Sequence, residues 1–417
     1  MNYHRLNIEK RKFIVLLVIA SSFLVLTYLH SITRMVLVER NFCDFAGYYF
    51  YANLLNNDKD IYLLTRDKNL GEEHKQFMEE SGIPVHICFG AAYSPIFFYL
   101  ISFLAKLDFT TANIIWLLIN NLLVIATIML WIFMHRDRDS YLIFASIIVM
   151  FASQPLIEDM GAGQVNVIFL FLFLLVACLY NGRREYLCGT AIAFVLLLKP
   201  QWGLISLFFL WKRAYTVVIS TIISYIVFRL IGVLLYGFDI EVSYWQSLFY
   251  WSQIQTGDMM DISLKGVIDR IFLGLLPEQM NIASVLHKAV SLALIVLTFK
   301  QIPRIKNNNE FLLEYAVVIS LVTIISPKTL EHHLVLLFIP FVVLLERFNI
   351  GNIRNIVLLT AAFCLVSVRY SLNSFSAFHV GLPAILTAGK IAGVFILWWL
   401  FMKTLSPKYK DCMQSLP

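Results

Sequence analysis

Charge is the scarcest commodity in this chain of 417 residues: Lys, Arg, Asp and Glu make up 14% of it against 59% hydrophobic residues, where soluble proteins carry about 25% charge. A water-soluble fold has too little polar surface to cover that apolar excess. Cysteine is sparse as well. Cys43, Cys88, Cys178, Cys188, Cys364 and Cys412 stand at no metal-ligand spacing, which argues against a zinc-stapled module. Only Cys43 and Cys88 share a polar segment, where a disulfide and two free thiols both stay open. Internal repeats are not evident, and low complexity is confined to Asn307-Asn308-Asn309. The formal charge of +6 is spread in short clusters between apolar blocks and forms no continuous basic stripe, so no nucleic-acid partner is expected.

What is there instead is a succession of apolar runs. Phe13 to Leu29 follows Arg11 and Lys12 without a convincing small-residue cleavage site, the pattern of an uncleaved anchor. Spans are predicted at roughly 12–33, 111–134, 140–157, 164–181, 187–198, 201–211, 214–236, 281–300, 311–326, 332–347, 353–370 and 380–404. The expected fold is therefore all-α, a polytopic membrane protein of about 12 transmembrane helices in one membrane domain, residues 1–417. Several of these blocks are short, and Lys199-Pro200 either interrupts one helix or joins two. Tyr93 to Ala105 is too short to cross. Without it, residues 34–110 form one long external loop with amphipathic helices, and 237–280 form a second external interfacial region.

Lys and Arg alone supply an orientation. With the N-terminus in the cytoplasm, the cytoplasmic joints carry Arg136 and Arg138, Arg183 and Arg184, Lys212 and Arg213, Arg304 and Lys306, Arg347 and Arg354, then Lys408 and Lys410. The intervening joints near 158–163 and 371–379 carry neither residue, as the positive-inside rule expects. Both termini are thus expected in the cytoplasm.

Polar residues within or beside the apolar blocks are the candidates for chemistry. Asp44 opens Asp44-Phe45-Ala46-Gly47-Tyr48-Tyr49 soon after the first span. One reading is a helix cap; the other is a general base, a partly desolvated carboxylate that takes a hydroxyl proton while the oxygen attacks a sugar carbon. Tyr48 offers a stacking face or an interface anchor. In Glu158-Asp159-Met160-Gly161-Ala162-Gly163-Gln164-Val165-Asn166 the glycines permit a tight return. Asp159, Gln164 and Asn166 there are either loop and cap residues or binders of sugar hydroxyls, for which amides suit because they donate and accept.

Lys199 is costly to bury unless it snorkels or meets an anion such as a lipid-linked phosphate. Arg270 offers a planar fork for phosphate oxygens, with a salt bridge as the ordinary alternative. In Pro327-Lys328-Thr329-Leu330-Glu331-His332-His333 the adjacent histidines lack zinc spacing. Lys328 with His332 or His333 suits phosphate charge and hydroxyl orientation, against a plain loop.

The order of Asp44 with its tyrosine-rich helix, Tyr93-Ser94-Pro95, Gly163-Gln164-Val165-Asn166, Leu198-Lys199-Pro200, Ser263 to Arg270 and His332-His333 resembles the polyprenol-phosphate-mannose-dependent mannosyltransferases, glycosyltransferase family 87 of the GT-C superfamily. The broad pattern is similar to that of the mycobacterial phosphatidylinositol-mannoside enzymes. The resemblance implies a GT-C-like bundle in the plasma membrane, the inner membrane of a bacterium, with its active site on the external or periplasmic side. It implies inverting transfer of mannose from a polyprenyl-phosphate sugar to a hydroxyl of a glycolipid or glycan acceptor.

Asp44 aligns with the family's catalytic acid–base residue. Lys199, Arg270 and His332 become candidate donor-phosphate contacts, and Gln164 and Asn166 weaker substrate contacts. No cofactor is expected, the lipid-linked sugar being donor substrate and membrane lipid the other partner; a metal-dependent version stays open. The competing reading is a transporter or flippase for a lipid-linked saccharide, which would need alternating access and no base at Asp44. A third is a non-catalytic scaffold whose polar groups are local caps.

Overall fold

The computed structural model describes residues 2–36, 43–57, 60–64, 79, 93–135, 140–253, 258–304, 310–347, 353–369 and 375–406. Every regular element among the described residues is helical, so the all-α expectation holds. The bundle of about 12 transmembrane helices does not. Ile14–Arg34, Phe109–Met134, Tyr215–Tyr236 and Pro277–Gln301 are long and apolar enough to cross a bilayer. A fifth span results if Tyr141–Phe151 and Gln154–Ala162, bent by 50°, act as one. These long apolar helices associate the chain with a membrane.

Helix length explains the shortfall. A rise of about 1.5 Å per residue means that about 20 residues are needed to cross the hydrocarbon layer. Asn166–Asn181 has 16 residues, Glu185–Leu198 has 14, and Phe311–Ile325 and Ile353–Ser367 have 15 each. Their hydrophobicity also has another destination. Phe311–Ile325 is buried in protein along almost its whole length, whereas at most 28% of the apolar window of each of the four long spans is buried. An apolar run reads alike in sequence whether lipid or protein covers it. The alternation of basic and non-basic joints, drawn over twelve spans, consequently has no count to rest on; Arg136, Arg138, Lys306, Lys408 and Lys410 lie outside the described residues.

The chain divides into two compact units. One, Met35–Val124 with Asp159–Gln255, is built on close helix contact and aromatic packing. Glu185–Leu198 lies against Tyr215–Tyr236 so closely that a Cβ on Gly189 would stand 2.4 Å from the Val217 carbonyl oxygen. Ser220 Oγ donates to the Tyr186 carbonyl at 2.7 Å, and Thr190 and Ser224 hydroxyls share a hydrogen bond of 2.9 Å. Small and hydroxylated residues suit such a contact because lipid supplies no hydrophobic force between helices. The helix Cys43–Asn56 packs by its aromatic side chains: Phe45 stacks on Trp116 with ring centres 5.4 Å apart, and Tyr48 meets Phe97 edge-on at 5.2 Å.

The other unit, Met1–Arg34, Ile125–Glu158 and Thr256–Pro417, has Phe311–Ile325 in its interior. Ser263 caps the helix Leu264–Leu275, its hydroxyl accepting from the Gly266 amide at 2.9 Å. Further along that helix a Cβ on Gly274 would fall 2.2 Å from the Gly381 amide nitrogen. Two backbones thus meet directly, with Gly381 at φ 76°, where only glycine is unstrained.

Candidate functional site

Asp44 lies in the first turn of Cys43–Asn56, half-buried. Two turns of chain bring partners to it, and each turn has a local cause. Gln154–Ala162 ends at Gly163, whose φ of 69° is the left-handed conformation that terminates helices. The Gln164 amide then returns to the Asp159 carbonyl at 2.9 Å. This reversal sets Asp159 beneath the start of Asn166–Asn181: its Oδ1 accepts from Asn166 Nδ2 at 2.7 Å and its Oδ2 from the Val167 amide at 3.3 Å. Trp116 Nε1 secures the turn by donating to the Gly163 carbonyl at 2.7 Å.

Lys199 owes its placement to Pro200. A residue before proline is pushed out of the helical region, and Lys199 is extended at φ −139° and ψ 97°, between Glu185–Leu198 and the 3-10 turn Pro200–Trp202. The question of one helix or two is settled here: the proline separates Glu185–Leu198 from Gly203–Trp211. Lys199 Nζ donates to Asn166 Oδ1 at 3.2 Å and lies 5.3 Å from the centre of the Phe169 ring and 5.8 Å from that of Tyr93.

Tyr48 joins the two sides of the cluster. Its hydroxyl donates to Gln164 Oε1 at 2.8 Å and approaches the Tyr93 hydroxyl at 3.2 Å. Its ring makes T-shaped contacts with Tyr93, Phe97 and Trp116. Burial raises the Asp44 carboxyl above the ordinary carboxylate range, while hydrogen bonds from Gln164 and Cys43 and the charge of Lys199 pull it back. Burial draws Lys199 down to about 8, against the attraction of Asp159 and Asp44. The two carboxylates are unequal: Asp159 is 1% exposed with both oxygens engaged, whereas Asp44 is only half-buried. The arrangement can receive a proton at Asp44 and place positive charge beside it.

Arg270, Lys328, His332 and His333 belong to the other unit. Arg270 is 2% exposed, and one terminal nitrogen of its guanidinium is given to backbone carbonyls. Nη1 donates to the carbonyls of Asp261 at 2.8 Å, Asp258 at 3.1 Å and Met259 at 3.3 Å, and Nη2 to Thr387 Oγ1 at 3.3 Å. Asp261 works from the opposite direction: its Oδ1 accepts from the amides of Ser263 at 2.9 Å and Thr329 at 3.1 Å. Lys328 reaches Asp258 at 3.7 Å, both side chains well exposed. His333 Nδ1 accepts from the Leu330 amide at 3.1 Å, and the His332 and His333 rings meet edge-on at 4.7 Å.

Several partners escaped the sequence reading. Tyr93 was visible only as part of a motif, and Trp116 only as an apolar residue. Lys390 donates to Glu331 Oε1 at 2.7 Å and to the Val366 carbonyl at 3.0 Å. Arg229 pairs with Glu241, and here a signal existed: a charge inside a spanning run, which seldom occurs without a purpose. The proposed pairing of Cys43 with Cys88 lies outside the described residues.

No curated protein and no solved structure matches the chain. A family model does, that of glycosyltransferase family 87, over residues 91–327. The match takes in Tyr93, Asp159, Gln164, Asn166, Lys199 and Arg270, and leaves Asp44, Lys328, His332 and His333 outside it. Because it covers more than half of the chain, the chain belongs to glycosyltransferase family 87 and is a glycosyltransferase.

Proposed function

We propose that this glycosyltransferase transfers mannose from polyprenyl-phosphate-mannose to a hydroxyl of a glycolipid or glycan acceptor at the external face of the plasma membrane, with inversion, and that Asp44 is the general base. The observation that carries the reading is the inequality of the two carboxylates. Asp159 has both oxygens bound, while Asp44 keeps partial exposure beside Gln164 and Lys199.

In the reaction the acceptor oxygen attacks the anomeric carbon from the face opposite the phosphate. The bond from that carbon to the phosphate oxygen breaks, polyprenyl phosphate leaves with the electron pair, and Asp44 takes the acceptor proton. Lys199 offsets negative charge as the phosphate departs, and Gln164 and Asn166 orient hydroxyls through amides that both donate and accept. The donor and sugar follow the resemblance to the mannosyltransferases; membership in a glycosyltransferase family sets the transporter reading aside.

The test incubates purified protein with polyprenyl-phosphate-mannose and a lipid-extract acceptor pool, comparing wild type with Asp44→Asn. Loss of a positioned base lowers turnover by about 10²–10⁴-fold. A mannosylated product formed equally well by Asp44→Asn would remove Asp44 from the role of base. Movement of intact donor across a vesicle without product would revive transport.

A further inference from the structure

A buried ion pair outside the Asp44 cluster has no place in the mechanism above. Arg229 lies within the spanning helix Tyr215–Tyr236 and pairs with Glu241 of Phe238–Gln253, side chains 12% and 6% exposed. The site is shaped for the pair. A Cβ on Gly232, one turn beyond Arg229, would stand 2.6 Å from Glu241 Oε1, so the carboxylate fits because residue 232 has no side chain. The guanidinium carbon lies 4.6 Å from the Tyr244 ring centre, 5.0 Å from Trp245 and 6.0 Å from Tyr225. Fastening two helices does not require such a pair, since well-packed apolar residues do so at lower desolvation cost.

From Tyr244 a continuous path leads to the catalytic cluster. Its ring meets that of Tyr62 with centres 5.4 Å apart, and both residues are fully buried. Tyr62 Oη donates to the Tyr93 carbonyl at 2.6 Å. Tyr93 in turn lies against Lys199 and meets the Tyr48 hydroxyl that holds Gln164. The short helix Ile61–Leu64 that carries Tyr62 is fixed at its start, where Asp60 Oδ1 accepts from the Tyr62 amide at 2.9 Å and Oδ2 from Ser243 Oγ at 2.7 Å.

We infer that Tyr62 is a positioning residue for glycosyl transfer: its phenol pins the Tyr93 backbone, and the Arg229–Glu241 pair holds Tyr62 in place through Tyr244. The inference rests on the reading of the Asp44 cluster as the active site. Tyr62→Phe keeps the ring and removes the donor. In the full-length protein, deuterium exchange of the backbone amides from Tyr93 to Phe98 rises about three- to tenfold in that variant, the worth of one hydrogen bond. The kcat for mannose transfer from polyprenyl-phosphate-mannose falls by a similar factor with KM for the donor unchanged. Arg229→Met reproduces both effects, and Arg229→Lys, which keeps the charge, restores part of each.

Unchanged exchange in Tyr62→Phe overturns the pin. Raised exchange with unchanged kcat overturns its catalytic purpose. A wild-type enzyme that leaves this donor untouched, or an Asp44→Asn variant with full activity, overturns the active-site reading and the catalytic half of the inference with it, while exchange alone still decides whether Tyr62 holds Tyr93.

Discussion

The two units contain similar ingredients, carboxylates beside a cation, and use them differently. Around Asp44 most polar side chains bind one another: Tyr48 to Gln164, Asn166 to Asp159, Lys199 to Asn166. Around Arg270 they bind backbone, the guanidinium taking three carbonyls and Asp261 taking two amides. The first pattern leaves charge available to a substrate that replaces a side-chain partner. The second ties loops together, because backbone groups left unpaired in the interior are costly. Residue type therefore does not separate a reactive group from a structural one; what its polar atoms already hold does.

The contrast is broken most sharply by exchanging its two cations. Arg270→Met takes the donor from three carbonyls, that of Asp261 buried and those of Asp258 and Met259 partly so, and is expected to lower stability by about 1–3 kcal/mol, read as a clear fall in melting temperature. Lys199→Met removes a charge beside Asp44 and lowers turnover by about 10- to 100-fold, with a much smaller change in melting. The reverse assignment of effects would exchange the roles given to the two residues.

Packing offers the next test, since the Asp44 unit is held by close helix contact more than by its polar cluster. Gly189→Val places a methyl against the Val217 carbonyl and Ser220 and is expected to cost about 1–3 kcal/mol. Activity per folded molecule should be retained in thermal and kinetic assays.

A pH profile of kcat sharpens the account of Asp44 and Lys199. A base must be deprotonated to act, and burial raises the Asp44 pKa. Activity should therefore fall on acidification at a pH above the ordinary carboxylate value of about 4. It should fall again as pH rises past about 8, where Lys199 loses its proton. Burial also raises the neighbouring Asp159 to about 7, so Asp44→Asn removes only the part of the acid limb that belongs to Asp44, and Lys199→Met removes the alkaline limb. The smallest effect belongs to Lys328, which is 44% exposed and 3.7 Å from Asp258. Surface pairs of this kind contribute less than about 1 kcal/mol, so Lys328→Ala should leave melting nearly unchanged.

Much of the Asp44 cluster was legible before folding because its chemistry is local. Gly163 announces a helix end, Pro200 forces Lys199 out of the helix, and Asp44 stands at the head of its own helix; each follows from backbone sterics within a few residues. Tyr62 was not, because it stands in a charged stretch that reads as solvent-facing, and for Arg229 the charge inside a spanning run was visible but the partner that neutralises it was not. The span count failed for a related reason. Phe311–Ile325 and Tyr215–Tyr236 are alike in hydrophobicity, and only packing showed that the first is interior and the second largely uncovered.

By itself the amino-acid sequence determined that the chain is helical, that it associates with a membrane, and which segments bend. Composition and backbone sterics act on near neighbours and suffice for that. Only the tertiary structure decided which apolar helices are enclosed by protein, which carboxylate has both oxygens taken, and that Arg270 is bound to carbonyls. Those outcomes depend on which polar atoms meet across long stretches of chain, where burial makes each hydrogen bond compulsory and so fixes what remains available for chemistry.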